Sequence, residues 1–217
     1  MPKHRSYRLL CPITRALDKV GDRWSLLILR DLHAGPARFS DLLTGLNGIA
    51  SNLLTTRLQQ LQDDGLIIKR TANHGVVVYA LTEDGERTAP LLFELATLGA
   101  QYPAPTDLRR PGNLRTIVVT LKEALRRVVR DDAVHVELIV DDEHFAIDVA
   151  DGEVSVRYEP YPDAPLAIAT EYEALIALGD GDIALSDYTR NHVELQRGSK
   201  RAMNDFWRLT ARSFGAR

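Results

Sequence analysis

Cysteine is nearly absent from this 217-residue chain: Cys11 is the only one. A single cysteine excludes an intramolecular disulfide and fits a cytoplasmic protein. No run of about 18 apolar residues occurs, so no transmembrane helix is expected. The first stretch, MPKHRSYRLLCPITRAL, has basic residues but neither a sustained apolar core nor a small-residue cleavage site, so no secretory signal is expected. Metal-ligand spacing is missing too. His4, His33, His74, His135, His144 and His192 form no HExxH pattern and have no CxxC partner. The "DDEH" run, Asp141 to His144, falls at a hairpin turn, where Asp and Glu are favoured anyway. There is no GxSxG, and Gly179, Asp180 and Gly181 lack the strand-then-helix context of a nucleotide site. Neither catalysis, a metal nor a cofactor is expected.

The chain does have the means to fold. Hydrophobic residues make up 45% and charged residues 26%, near globular averages, and the length suits one large domain or two small ones. The net charge of −3 conceals an asymmetry. Residues 1–82 hold 11 Lys and Arg against 6 Asp and Glu, whereas residues 102–217 hold 15 against 20. That pattern suggests two units with different partners, the first polyanionic, although chance surface variation explains it equally well. The segment "YPAPTDLRRPGN", Tyr102 to Asn113, has three prolines and a glycine and reads as a linker. Three regions follow: 1–101, the linker 102–113, and 114–217.

Apolar spacing before the linker is mostly helical. Ile13, Ala16, Leu17 and Val20 mark one helix, Trp24 to Leu32 a second capped by Asp22, and Phe39 to Leu46 a short third. Ser51 caps a fourth with Leu54, Leu58 and Leu61 on its buried stripe. "LIIKR" and "VVVYAL", joined by "TANHG", form a hairpin, and a closing helix starts near Glu83 or Asp84. Four helices, a hairpin and a helix make the order of a winged helix-turn-helix. In it, Ser51, Asn52, Thr55, Thr56, Gln59 and Gln60 face outward. Amides and hydroxyls are donors and acceptors that reach base edges, while acidic groups there would repel phosphate. Read alone, the same helix would be an ordinary solvated face.

Three stretches in series, "CPITRALDKVGDRWSLLILRDL", the block running from "RFSDLLTGLNGIASNLLTTRLQQLQDDGLI", and "VVYALTEDG", resemble the HxlR-type winged-helix transcription regulators over roughly residues 11–99. The resemblance implies a homodimer on an inverted-repeat operator, with one helix per half-site in the major groove. It places Ser51, Asn52, Thr55 and Thr56 in that groove. Arg57 either reaches phosphate or braces the helix internally. Arg38, Lys69 and Arg70 are candidates for backbone contacts, and Asn73 and His74 at the wing tip for the minor groove or simply for the turn. Cys11, which precedes a helix start where the dipole favours an anion, is a redox sensor in the resembling pattern or an inert buried thiol. Trp24 is expected in the core.

After the linker, Leu114 to Val129 follow a helical repeat, and "AVHVELIVDDEHFAIDVADGEVSVRYEP" gives three alternating strands. "PLAIAT" and "HVELQRG" add two more, with two short helices between them, and "SKRAMNDFWRLTARSF" is a terminal helix. The fold class expected is α+β: an N-terminal winged helix, then an antiparallel sheet with helices on one face. The second part resembles the sterol carrier protein-type domain in its element order, from "LAIATEYEALIAL" through "DIALSDYTRNHVELQRG". That resemblance implies an apolar cavity for a small apolar ligand, with Phe145, Ile147, Leu175 and Trp207 as lining candidates, or else a solid core that supports a dimer. The functional expectation is a DNA-binding regulator. Its rivals are a small-molecule or lipid-binding protein whose winged helix serves protein contacts, and a regulator switched only through Cys11.

Overall fold

The computed structural model describes residues 6–72, 75–102, 113–130 and 132–213. No helix among them is long and apolar enough to cross a membrane. The chain divides into two compact units between Thr88 and Ala89.

The first unit runs α1 (Pro12–Val20), α2 (Ser25–Leu32), α3 (Phe39–Gly45), α4 (Ser51–Asp63), β1 (Ile67–Thr71), β2 (Val77–Leu81) and α5 (Glu83–Glu86). α2 and α3 start where a carboxylate supplies a partner for backbone N–H groups, whereas α4 starts without a side-chain cap, its N-cap being Ala50 rather than the expected Ser51. The Asp22 carboxylate accepts from the N–H of Trp24 and Ser25 at 2.8 and 3.1 Å, and Asp41 accepts from the Arg38 N–H at 2.9 Å. Ile28, Leu29, Leu32, Leu42, Leu54, Leu58, Leu61 and Ile67 form one buried cluster, with Trp24 packed against it. β1 and β2 pair antiparallel, and Ala37 joins Tyr79 through two backbone hydrogen bonds of 3.0 and 2.8 Å. This third rung fastens the entry to α3 onto the wing.

Sequence spacing runs one closing helix from about residue 83, but the structure breaks it into α5 and α6 (Ala89–Gly99). Thr82 caps α5, accepting from the Gly85 N–H at 3.1 Å and donating to the Gly65 carbonyl at 2.6 Å. Pro90 has no N–H to give, which suits it only to the first turn of a new helix. Gly85 is set by close approach: a Cβ there would lie 2.1 Å from the Leu66 carbonyl oxygen. Gly85→Ala is expected to cost about 1–3 kcal/mol of stability by overpacking, read by denaturant unfolding of the full chain; an unchanged midpoint would contradict the close contact.

By its contacts the second unit begins with α6 at Ala89, ahead of the proline-rich segment that starts at Tyr102. Most of that segment, 103–112, lies outside the described residues. Next come α7 (Thr116–Val128), β3 (Val134–Val140), β4 (Glu143–Ala150), β5 (Glu153–Arg157), β6 (Leu166–Thr170), α8 (Tyr172–Asp180), α9 (Leu185–Asn191), β7 (Val193–Arg197) and α10 (Lys200–Ser213). The strand order is β5-β4-β3-β6-β7. The sheet is mixed rather than wholly antiparallel, because β6 lies parallel to β3. An alternating pattern carries no information on strand direction. What decides the placement is burial: "LAIAT" is apolar on both faces, which suits an inner strand beside β3 rather than an edge.

Period-2 alternation sorts the sheet faces. Val136, Leu138, Val140, Phe145, Ile147 and Val149 are buried on one face, against which the helices pack. The other face carries His135, Glu137, His144, Asp148 and Arg157. There Glu137 ties down the crossover 158–165 that a parallel strand requires. Its Oε1 accepts from the Tyr161 N–H and lies 3.0 Å from His144 Nδ1, and Arg197 approaches its Oε2 at 3.6 Å. Arg197 also donates to the Ala164 carbonyl at 2.6 Å.

Burial alone would raise the Glu137 carboxyl, but the Tyr161 N–H, His144 and Arg197 outweigh it and hold the group below its usual value. Asp148 is likewise lowered, burial being outweighed by hydrogen bonds from His135, Arg157 and Tyr161. A depressed carboxylate stabilises the fold at pH values above its unfolded pKa, and that contribution disappears as pH falls through the folded one. The midpoint of thermal unfolding should therefore drop as pH falls below the ordinary Glu and Asp values of 4.5 and 3.8. Glu137→Gln should flatten that acid limb; an unaltered pH profile would sink the assignment.

Candidate nucleic-acid interface and ligand pocket

Helix α4 buries Leu54, Leu58 and Leu61 completely, or nearly so, and this fixes which residues are left outside. Ser51, Asn52, Thr55 and Thr56 are exposed, as is Gln59. The Thr55 and Thr56 hydroxyls donate to the Ser51 and Asn52 carbonyls at 2.9 Å each, so their oxygens are turned out as acceptors. The Asn52 Oδ1 accepts from the Leu53 N–H at 2.8 Å, which leaves its amide N–H groups as the outward donors. A helix face of this kind offers both halves of the major-groove code. Gln59, by contrast, donates to Asp63 at 2.8 Å and is partly engaged.

Arg57 does not belong with that face. Its Nε lies 3.0 Å from the Asp22 Oδ1, and its guanidinium donates to Gln60 at 2.5 Å. Position 57 falls between the buried stripe and the outward face, so the side chain turns along the helix onto α2's cap. Of the two roles weighed for it, these contacts are the kind a brace makes. Lys19 pairs with Asp64 at the C-terminal end of α4, so the middle and the end of the helix are pinned from the α1–α2 side. We expect Arg57→Ala to lower stability by about 1 kcal/mol, more than an isolated surface pair gives only through the cap it shares. The salt dependence of DNA binding should stay unchanged. A lower salt slope at equal stability would return Arg57 to the phosphate contacts.

Arg38 is exposed at the start of α3, its backbone N–H fixed by Asp41. Lys69 and Arg70 are both exposed on β1, paired with Tyr79 and Val78. Adjacent residues of a strand point to opposite faces, so these two cannot grip the same phosphate. Asn73 and His74 lie outside the described residues. Cys11 is exposed at the N-cap of α1. It is flanked by Leu10 and Ile13, which are 99% and 69% exposed and, with Leu17, leave one side of α1 apolar and uncovered within the chain.

Within the second unit, α6, α7, α8 and α10 enclose a pocket of about 380 Å³. Leu175 and Trp207 are in its wall; Phe145 and Ile147 are not, being fully buried in the packing between sheet and helices. Sequence reasoning missed the contribution of α6, which brings Phe93, Ala96, Thr97 and Ala100 to the wall. The available signal was an apolar helix, "APLLFELATLG", with more apolar surface than one core contact consumes.

Comparison with known proteins gives a consistent picture. The HxlR-like helix-turn-helix family matches residues 19–107. The HTH-type transcriptional regulator sll1512 of Synechocystis is 36% identical over 96 residues, covering 43% of this chain and 70% of that protein. The HTH-type transcriptional regulator YtfH of Escherichia coli is 38% identical over 89 residues, covering 40% and 70%. The reduced form of the transcriptional regulator YodB from B. subtilis, at 27% identity, aligns over 46% of this chain and 100% of its own with a TM-score of 0.39.

Proposed function

The chain belongs to the HxlR-like helix-turn-helix family of transcription regulators, and from that premise we propose that it acts as a homodimer on an inverted-repeat operator. In this reading Ser51, Asn52, Thr55 and Thr56 of α4 read base edges, and Arg38 and Arg70 or Lys69 neutralise phosphates. The observation that carries it is the division of α4: a fully buried leucine stripe on one side, and on the other a run of amides and hydroxyls without an outward carboxylate until Asp63. Such a face gains little as a solvated surface and much against a groove. The case for a second copy rests on uncovered apolar side chains: Leu10 just before α1, Ile13 and Leu17 on it, and Leu91, Leu95 and Leu98 on α6. A C2 dimer would place two α4 helices about one turn of DNA apart, roughly 34 Å.

Arg38→Ala tests the phosphate assignment. It should weaken binding to specific and random duplex alike and lower the salt slope by about one unit per subunit. Unchanged affinity and slope would remove Arg38 from the interface.

The proposal extends to the second unit as a sterol carrier protein-like module that holds a small apolar ligand in the pocket of about 380 Å³. One rival has an observation in its favour. Cys11 is exposed beside the apolar side of α1, where an intersubunit disulfide would lock a dimer. DNA affinity of Cys11→Ser that still differs between oxidant and reductant would exclude the thiol as the switch.

A further inference from the structure

Helix α6 has two faces with different surroundings. Phe93, Ala96, Thr97 and Ala100 wall the pocket of the second unit. At 100° per residue, Leu91, Leu95 and Leu98 fall on the opposite side of the same helix, and all three are exposed. Anything that fills the pocket presses on one face of a helix whose other face is an uncovered apolar stripe.

The pocket also specifies what can fill it. Among the described residues its wall is largely aliphatic and aromatic, with Asp180 as the one charged side chain. With a carboxylate and no cation, the wall disfavours an anionic ligand. Trp207 is 1% exposed, and its indole Nε1–H has no hydrogen-bond partner among the described residues. A buried donor left unsatisfied is costly, and a ligand acceptor would relieve it. Thr97 and Thr120, also in the wall, donate their hydroxyl protons to the Phe93 and Thr116 carbonyls at 3.1 and 3.0 Å, so they have acceptor capacity left for a ligand O–H. At about 380 Å³ the space is at the small end of ligand pockets, which run to about 1,000 Å³.

We propose that this pocket binds a small, neutral, ring-bearing molecule with one hydroxyl or carbonyl group, which accepts from the Trp207 indole N–H, and that occupancy acts on operator binding through α6 and the dimer contact on its far side. The proposal rests on the regulator reading above and adds the ligand's chemistry and its route. An aliphatic or aromatic body lies against the wall, and the oxygen meets the Trp207 indole N–H. Binding then orders α6, and the stripe Leu91, Leu95 and Leu98 is presented in one arrangement rather than several.

The test uses the full-length protein and three probes of one size and different charge: naphthol, naphthoate, and protonated naphthylmethylamine, titrated calorimetrically at neutral pH. Naphthol should bind saturably and at least tenfold more tightly than either charged probe, because Asp180 repels naphthoate and the ammonium has no lone pair to accept from the Trp207 indole N–H. Trp207→Phe keeps an aromatic ring and removes the donor, and should weaken naphthol about tenfold, as expected for one lost hydrogen bond. Saturating naphthol should change operator affinity at least twofold. Equal binding of naphthoate, unchanged naphthol affinity in Trp207→Phe, absence of naphthol binding to the natural protein, or operator affinity unmoved at saturation would each overturn the proposal. Operator binding without any probe is measured on the same samples. Its loss would sink the regulator reading, and its retention beside a failed probe would sink the pocket proposal alone.

Discussion

Thr55→Glu should weaken binding to a selected operator by about a hundredfold or more while leaving the unfolding midpoint within about 0.5 kcal/mol of the natural protein. Thr55 is exposed on α4, and among the described residues its hydroxyl donates only to the Ser51 carbonyl of its own helix, so little of the fold depends on the side chain. Glutamate is also a better helix former than threonine, which favours the folded state slightly. On DNA the substitution does two things. It removes a contact of about 1–3 kcal/mol to a base edge, and it brings a carboxylate into the negative potential of the groove, once per subunit. The check is fluorescence anisotropy on specific and random duplex, beside thermal melting. Operator affinity within threefold of natural would mean that α4 is not the reading helix.

The neighbouring position should fail in the opposite way. Leu54 is fully buried in the cluster with Leu58, Leu61, Ile28 and Leu29. Leu54→Ala removes three heavy atoms from a packed core and leaves a cavity, at a cost of about 2–5 kcal/mol. Since small domains have about 5–15 kcal/mol in total, this is a large share of what holds the first unit together. DNA binding by the variant should therefore be lost as temperature rises, and restored with its natural salt slope on cooling. Denaturant unfolding measures the loss directly. A midpoint shift of less than about 1 kcal/mol would show that α4 is not anchored by this stripe.

These two residues also show what a sequence makes legible. The three-to-four spacing of Leu54, Leu58 and Leu61 fixes both the helix and its outward face, because burial in this region follows one period. The same holds for the five strands of the second unit, whose alternation is clear. Two things were hidden for physical reasons. Strand direction leaves no trace in alternation, so the parallel pairing of β6 with β3 emerged only with the crossover that Glu137 ties down. The part α6 plays in the pocket was hidden because an apolar helix beside a unit boundary satisfies either neighbour: the family match includes it, while its contacts group it with the second unit. At the site, exposure was readable for Ser51, Asn52, Thr55 and Thr56, but not the engagement of Arg57. An arginine's reach lets it serve phosphate or an Asp22 far away in sequence, and only the folded geometry decides. Of the four lining residues proposed for the pocket, Leu175 and Trp207 are in the wall, while Phe145 and Ile147 sit deeper. Hydrophobicity marks all four alike; whether a buried side chain faces atoms or a void is a property of the packing.

The most direct measurement is selection of duplexes from a random library by the purified protein, followed by footprinting of the enriched sequence across a range of salt. The account expects an inverted repeat whose half-sites lie about 10 base pairs apart centre to centre, protected symmetrically, with steep salt dependence on both specific and random duplex. Enrichment of no motif, or equal affinity for the selected and random duplexes at every salt concentration, would contradict it.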